Sequence, residues 1–216
     1  DDVVNKYGAD SFRLYEMFMG PLDKSKPWST KGLQGCYRFV QKIWKLYTKD
    51  ETKIVDKNPS KETTMILHQT IKKVTKDLES LSFNTAVSQM MIFVNHMLGQ
   101  DYYNKDVLDS FLIILNPFAP HLSEELNEMI FSDYYCPLSE KKWPIYDDSL
   151  TVSDSITIAV QINGKTRGTI NVDTNTKKED IFNIVIENNK FSKYLDNINI
   201  IKKIYVPKRL VNFVIS

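Results

Sequence analysis

The chain has 216 residues, 42% of them hydrophobic and 25% charged, a length that holds one or two domains with real cores. Its formal net charge of +1 hides a division: residues 151–216 carry ten Lys/Arg against six Asp/Glu, and residues 1–150 carry eighteen against twenty-one, so the small C-terminal part is the one suited to phosphate. Two cysteines without metal or redox spacing, no signal-peptide pattern and no apolar run of about 20 residues argue against a disulfide framework, secretion and membrane insertion, and favour a reduced cytoplasmic setting.

The first 150 residues read as helices. Asp10 or Ser11 is placed to cap a short helix burying Phe12, Tyr15 and Phe18, which Gly20-Pro21 ends. Leu22 to Trp28 is a loop, and Ser29 then caps a helix whose apolar stripe runs Leu33, Cys36, Tyr37, Val40, Ile43, Trp44, Tyr47. Lys49 to Glu62 has too little apolar content to pack and reads as an exposed linker. A second long helix shows Leu67, Ile71, Val74, Leu78 and Leu81. A third, capped near Ser82 or Asn84, shows Phe83, Val87, Met90, Met91, Val94, Met97 and Leu98, with its methionines read as core. The fourth runs from about Lys105 through Phe111 and Leu115 until Pro117 and Pro120 break or kink it, and His121 to Phe131 adds a further turn or two. Short links between such helices favour an antiparallel bundle. His68, His96 and His121 are scattered on it without a paired ligand and read as structural; no metal site is assigned.

From Tyr134 to Val152 the periodicity lapses, marking a domain boundary where Trp143 docks on the bundle. Ile156, Ile158, Val160 and Ile162 then alternate with Thr157, Ala159 and Gln161, a strand with one buried face. The return strand continues through Thr166, Gly168, Ile170 and Val172. A two-residue Asn163-Gly164 turn would pair Val160 with Arg167 and put charge into the apolar face. The spacing therefore predicts a three-residue loop with Gly164 left-handed and a bulge, setting Gln161, Lys165, Arg167 and Thr169 together on the outer face. That strip is either a nucleic-acid contact or a solvated strand face with a basic tip. Thr176 with Glu179 forms a capping box opening a helix with Ile181, Ile184 and Val185 inward; a second helical stretch holds Phe191, Tyr194 and Leu195. Two last strands, Ile201 to Val206 and Leu210 to Ile215, meet at Pro207-Lys208-Arg209. The fold class is α+β: a helical bundle followed by a small β-β-α-α-β-β domain.

Several blocks carry a resemblance: Tyr7-Gly8-Ala9-Asp10, Tyr15-Glu16-Met17-Phe18-Met19-Gly20-Pro21-Leu22, Lys26-Pro27-Trp28-Ser29, Phe83-Asn84-Thr85-Ala86, Pro117-Phe118-Ala119-Pro120-His121 with Glu124-Glu125-Leu126, Trp143-Pro144, Gln161-Ile162-Asn163-Gly164-Lys165 and Leu210-Val211-Asn212. Together they closely resemble the carboxy-terminal part of bacterial-type leucyl-tRNA synthetase, a class I aminoacyl-tRNA synthetase. One departure is Asn127, where the family usually has Trp. The resemblance implies a segment following the catalytic domain (1–29), an anticodon-binding helical bundle (30–150) and a C-terminal tRNA-binding domain (151–216). It implies tRNA(Leu) as partner, met mainly through backbone, 2′-OH and exposed bases. Lys165 and Arg167 would contact phosphate or a base face, Gln161 and Asn163 would hydrogen-bond, and Lys202, Lys203, Lys208 and Arg209 would add charge. Arg13, Lys24, Lys26, Arg38 and Lys42 are secondary candidates.

The family's His-x-Gly-His segment and Lys-Met-Ser-Lys-Ser loop have no counterpart here, and no paired carboxylates, nucleophile or Gly-rich cradle replaces them. The resemblance thus implies a monomer that is inactive alone and holds no cofactor, belonging to a leucine–tRNA ligase that uses ATP and Mg²⁺ and whose catalytic domain is its second partner. A free-standing RNA-binding protein and a helical protein-interaction scaffold are the alternatives.

Overall fold

Two apolar clusters, sharing no residue, organise the chain as two units, Asp1–Thr151 and Val152–Ser216. The computed structural model describes residues 2–132, 135–152, 155–195 and 198–216, and it is a mixed α+β structure.

In the first unit, helices α1 (Asp2–Tyr7) and α2 (Ala9–Phe18) are separated by Gly8, whose φ of 83° suits glycine. Asp10 and Ser11 therefore lie inside α2 and cap nothing of their own. The face of α2 that is buried carries Asp10, Ser11, Leu14 and Tyr15, where Phe12 and Phe18 were expected. Tyr15 earns that place through its hydroxyl, which accepts from the Ser29 amide at 2.6 Å. Ser29 in turn caps α3 (Thr30–Thr48), its Oγ accepting from Gly32 N at 3.2 Å. The α3 stripe is rotated from the expected one. Phe39 and Leu46 are buried and Trp44 is 40% exposed, while Tyr47 lies inward as expected, its hydroxyl donating to the Leu108 carbonyl at 2.8 Å.

The segment expected as an exposed linker has no buried residue, and polar contacts tie it down. Strand β1 (Ile54–Val55) pairs in parallel with β2 (Tyr103–Asn104). Asn104 Nδ2 donates to the Lys57 carbonyl at 3.1 Å, and Tyr102 Oη donates to that of Asn58 at 2.8 Å. Helix α4 (Lys61–Glu79) starts at the Ser60 cap and buries Leu67, Ile71 and Val74. Leu81, expected on that stripe, is instead exposed with φ 56°. It closes a Schellman motif in which Ser82 N donates to Asp77 O at 2.7 Å and Leu81 N to Leu78 O at 3.2 Å. Helix α5 (Phe83–Met97) buries Met90 and Met97 in the core and stacks Phe93 on Phe111 of α6 (Lys105–Leu115), centroids 4.6 Å apart. Each such ring contributes about 2–3 kcal/mol by leaving water.

After α6 the chain breaks at Pro117 and resumes as α7 (Pro120–Ile130). Such a break strands backbone donors and acceptors, and α2 serves both. Asp10 Oδ2 accepts from Leu122 N at 2.6 Å, with Oδ1 2.8 Å from His121 Nδ1. Arg13 donates to Pro117 O at 2.8 Å and Phe118 O at 3.4 Å. Along α7, Asn127 is fully buried yet satisfied: its amide donates to Cys136 O at 2.9 Å and accepts from Lys141 Nζ at 2.8 Å, while Lys141 pairs with Asp109 at 2.6 Å. Trp143 docks as expected, Nε1 donating to Thr75 Oγ1 at 2.8 Å; Tyr134, where that segment was taken to start, lies outside the described residues. The three histidines each have a partner: His68 accepts from Asp147 N at 3.0 Å, and His96 lies 3.0 Å from Thr63 Oγ1. Buried Cys36 has its thiol pushed up to about 11 by loss of water. No helix of the described residues is long and apolar enough to cross a membrane.

The second unit is one sheet with helices on one face. Strands β3 (Ser155–Ile162), β4 (Lys165–Asp173), β5 (Ile200–Val206) and β6 (Leu210–Ile215) lie in the order β4-β3-β6-β5, with β3 and β6 parallel. Helices α8 (Lys178–Glu187) and α9 (Asn189–Ser192) bury Ile181, Phe182, Val185 and Phe191 against Ile158, Val160, Val211 and Phe213. Phe182 takes the inward place expected of Ile184, which is 38% exposed. The capping box does not form. The Thr176 amide closes a turn onto Asp173 O at 3.0 Å, so α8 starts after Lys177 without a side-chain cap.

Asp10→Ala removes the partner of the buried Leu122 amide and is expected to destabilise the first unit by about 2–3 kcal/mol, with Asp10→Asn costing less; urea unfolding followed by tryptophan fluorescence reads this unit alone, since Trp28, Trp44 and Trp143 all lie in it. His96 is held below the ordinary histidine value, chiefly by burial, with Glu62 opposing. The unfolded chain therefore takes that proton at a higher pH than the fold, and stability falls as pH drops through 6.5. His96→Gln is expected to flatten this loss between neutral pH and about pH 5, measured in the same unfolding curves.

Candidate nucleic-acid interface

At the tip of the β3–β4 hairpin, Ile162 pairs with Lys165, so the loop is the two-residue one rejected on sequence grounds. Asn163 (φ 48°) and Gly164 (φ 76°) are both left-handed, as a type I′ turn requires. The objection to that turn is met further along. Gln161 pairs with Thr166 but Val160 pairs with Gly168, which leaves Arg167 out of the ladder as a bulge and returns the apolar faces to register. Arg167 accordingly departs from the expected outer strip. Its guanidinium carbon sits 4.9 Å from the Tyr194 ring centroid, on the helix-covered side. Lys165 shares the side of its partner Ile162. Gln161, donating to Thr166 Oγ1 at 3.3 Å, stays with Thr169 on the open face.

Asn163 was expected to present its amide to RNA, but the amide is already engaged. Its Nδ2 donates to Ile215 O at 3.2 Å and its Oδ1 accepts from Ile215 N at 2.9 Å, while Asn212 Oδ1 accepts from Gly164 N at 3.1 Å. The turn is thereby laced to the end of β6.

The second cationic tip, Pro207-Lys208-Arg209, joins β5 to β6, with Lys208 at φ 57° and Arg209 N donating to Val206 O at 3.1 Å. Because Ala159 aligns with Leu210 and Ile162 with Phe213 in the parallel pair, the two tips stand at opposite ends of the sheet, roughly 20 Å apart. Lys202 and Lys203 follow strand alternation on edge strand β5. Lys202, opposite Val214, takes the open face, and Lys203, opposite Phe213, places Nζ 5.7 Å from the Phe182 ring.

Three cations that sequence reasoning passed over join these. Lys193 Nζ is 5.0 Å from the Tyr194 ring, Lys190 Nζ 5.8 Å from that of Phe191, and Lys178 Nζ 6.0 Å from that of Phe182. The signal was present: Lys190-Phe191 and Lys193-Tyr194 are Lys-aromatic dipeptides, and Lys178 stands one helical turn before Phe182. Among the described residues of this unit no ion pair forms, whereas Lys72, Lys73 and Lys141 of the first unit are paired with Asp148, Asp77 and Asp109.

The secondary candidates do not converge. Arg13 is committed to carbonyls, as described, and Lys42 Nζ donates to Asn95 Oδ1 at 2.8 Å. Arg38 is exposed. Lys24 and Lys26 share an open recess of about 310 Å³ with Tyr15, Glu16 and the half-exposed Trp28. Among the described residues no group of three or more His, Cys, Asp or Glu is placed to hold a metal ion.

The family described as the anticodon-binding domain of tRNA ligase matches residues 60–182. Over 216 residues the chain is 46% identical to leucine–tRNA ligase of Borreliella burgdorferi (strain ZS7), covering 100% of this chain and 25% of that protein. It is 40% identical over 219 residues to leucine–tRNA ligase of Chlorobium phaeobacteroides (strain BS1), covering 100% of this chain and 27% of the other. The chain thus spans about a quarter of the length of these curated relatives. Among solved structures, the ternary complex of Agrobacterium radiobacter K84 agnB2 LeuRS, tRNA and LeuAMS matches with a TM-score of 0.64 and 27% identity, covering 100% of this chain and 30% of that one.

Asn163→Ala opens the lacing to Ile215 and is expected to destabilise the second unit by about 1–2 kcal/mol without altering the first. Hydrogen exchange at the β3 and β6 amides should accelerate while the tryptophan-monitored transition stays in place.

Proposed function

The chain belongs to the anticodon-binding-domain family of tRNA ligases, and on that premise we propose that it is the tRNA-docking portion of a leucine–tRNA ligase, serving the ATP-dependent joining of leucine to tRNA(Leu). The observation that carries the RNA-binding part is the unneutralised charge of the second unit. Ten Lys/Arg face six Asp/Glu in residues 151–216, and no ion pair forms among its described residues. Whole-length similarity to leucine–tRNA ligases and to a LeuRS solved with tRNA supports tRNA as that partner.

In this reading residues 30–150 form an anticodon-binding bundle of the class I synthetase type that lies along the tRNA, and residues 1–29 adjoin the catalytic domain. The β-β-α-α-β-β unit of residues 151–216 meets tRNA at the sheet's two ends. Lys165 and Arg167 act at one tip and Lys208 and Arg209 at the other, with Lys202 and Lys203 along edge strand β5. Gln161 remains available on the open face, and Asn163 acts by holding the turn. ATP and Mg²⁺ are handled by the catalytic region of the parent enzyme, so the chain alone activates no leucine. It works as a monomer in the cytoplasm, where thiols such as that of Cys36 stay reduced.

Filter binding or fluorescence titration of tRNA(Leu) across salt concentrations tests this. Each phosphate neutralised adds about 0.7–0.9 to the log-log salt slope, so Lys208→Ala/Arg209→Ala should lower the slope by roughly 1.5 and Lys165→Ala by about half that. Affinity indifferent to salt, with capture of another protein, would instead favour a helical scaffold.

A further inference from the structure

Resting on this tRNA reading, we propose that Arg167 and Tyr194 form a stacking platform for an unpaired RNA base, with Lys190 and Lys193 placed for its flanking phosphates. The bulge is the device that builds it. Had Arg167 stayed in the ladder, strand alternation would have forced it into the slot opposite Val160; released from pairing, it lays its guanidinium 4.9 Å from the Tyr194 ring centroid. At Gly168, the next residue, a Cβ would stand 2.9 Å from Lys190 Nζ and 3.1 Å from Phe191 Cε1, so the Lys190 side chain ends against this stretch of β4. Lys193 reaches the same ring at 5.0 Å.

Three cations thus lie against the rings of Tyr194 and Phe191, and among the described residues no carboxylate is paired to any of them. Cation–ring attraction offsets their mutual repulsion only in part, which leaves the cluster poised for an anion. The ligand chemistry follows from the shapes. Lysines alone would serve any polyanion, but a guanidinium plane backed by a half-buried tyrosine is a flat π surface, the kind on which splayed-out RNA bases stack. A duplex offers phosphates and 2′-OH groups but no exposed base face. At the opposite tip, Lys208 and Arg209 make no cation–ring contact among the described residues, which suits backbone contact. Tyr194 is held for its ring, since its hydroxyl makes no hydrogen bond among the described residues.

The test uses the 216-residue chain with three probes: tRNA(Leu), a short oligouridine and an RNA duplex of equal length. Tyr194→Leu, which keeps the apolar contact with the core, should weaken tRNA and oligouridine binding about 5- to 100-fold with the salt slope unchanged, while duplex binding stays as it was. Tyr194→Phe should bind as the parent does. Arg167→Lys, which retains charge but not the plane, should lose affinity at constant slope. Lys190→Ala/Lys193→Ala should lower the slope by about 1.4. Undiminished tRNA and oligouridine binding by both Tyr194→Leu and Arg167→Lys, or equal loss on oligouridine and duplex, overturns the platform and leaves the tRNA reading standing. Failure of the unmodified chain to bind tRNA(Leu) at any salt overturns both.

Discussion

A helix that stops and restarts within four residues leaves its last carbonyls and its first amides unanswered, and burying such a corner is costly unless something answers them. In the first unit α2 does so, sending Asp10 to the amide of Leu122 and Arg13 to the carbonyls of Pro117 and Phe118. Opposite charges one helical turn apart meet opposite poles of the same corner. The rest of the unit follows from that clamp. It sets which face of α2 is inward, brings Tyr15 to the Ser29 amide, and so positions the start of α3. Residues more than 100 positions apart in sequence become a single joint.

The same logic explains how the unit accommodates the fully buried Asn127. A buried amide without partners would be expensive. Here Lys141, itself paired with Asp109, the Cys136 carbonyl and Glu124 answer it, so the buried amide sits in a polar network. Satisfaction of buried polar groups by distant segments is thus the recurring theme of the larger unit. In the smaller unit Arg167 and Lys203, one on each edge strand, lie against aromatic rings. Those positions coincide with the two strand bulges, at Arg167 and near Ile201, on opposite edges of the sheet. A bulge with nearby positive charge keeps an exposed edge from recruiting another strand, so solubility and charge display are met by one device.

Much of this architecture was legible. Helix spacing, the Ser29 cap, the proline break and the alternating strands all rest on local rules, and local rules survive folding. What escaped did so for identifiable reasons. Asp10 looks like a cap for its own helix because sequence reading has no access to an amide 112 residues away. Trp44 and Leu81 fit their stripes by spacing, but the core takes Phe39 and Leu46 on α3, and a left-handed helix end turns Leu81 out. The hairpin is the instructive case. Its residues were assigned correctly and its turn wrongly, because the argument from face matching assumed a ladder without interruption, and one unpaired residue satisfies both the turn and the faces. The Lys-aromatic pairs on α9 and just beyond it were passed over because neither residue is unusual alone.

The parallel pairing of β3 with β6 has a geometric consequence beyond topology. It holds two cationic tips at a fixed spacing on one sheet, each too sparse in charge to grip a polyanion firmly. A polyanion that reaches both at once gains the product of two weak contacts rather than their sum, because the second forms at high effective concentration. One that reaches only one tip forfeits nearly all of that gain. In the proposed reading the sheet thus works as a caliper, favouring ligands whose phosphates match the spacing of its two tips.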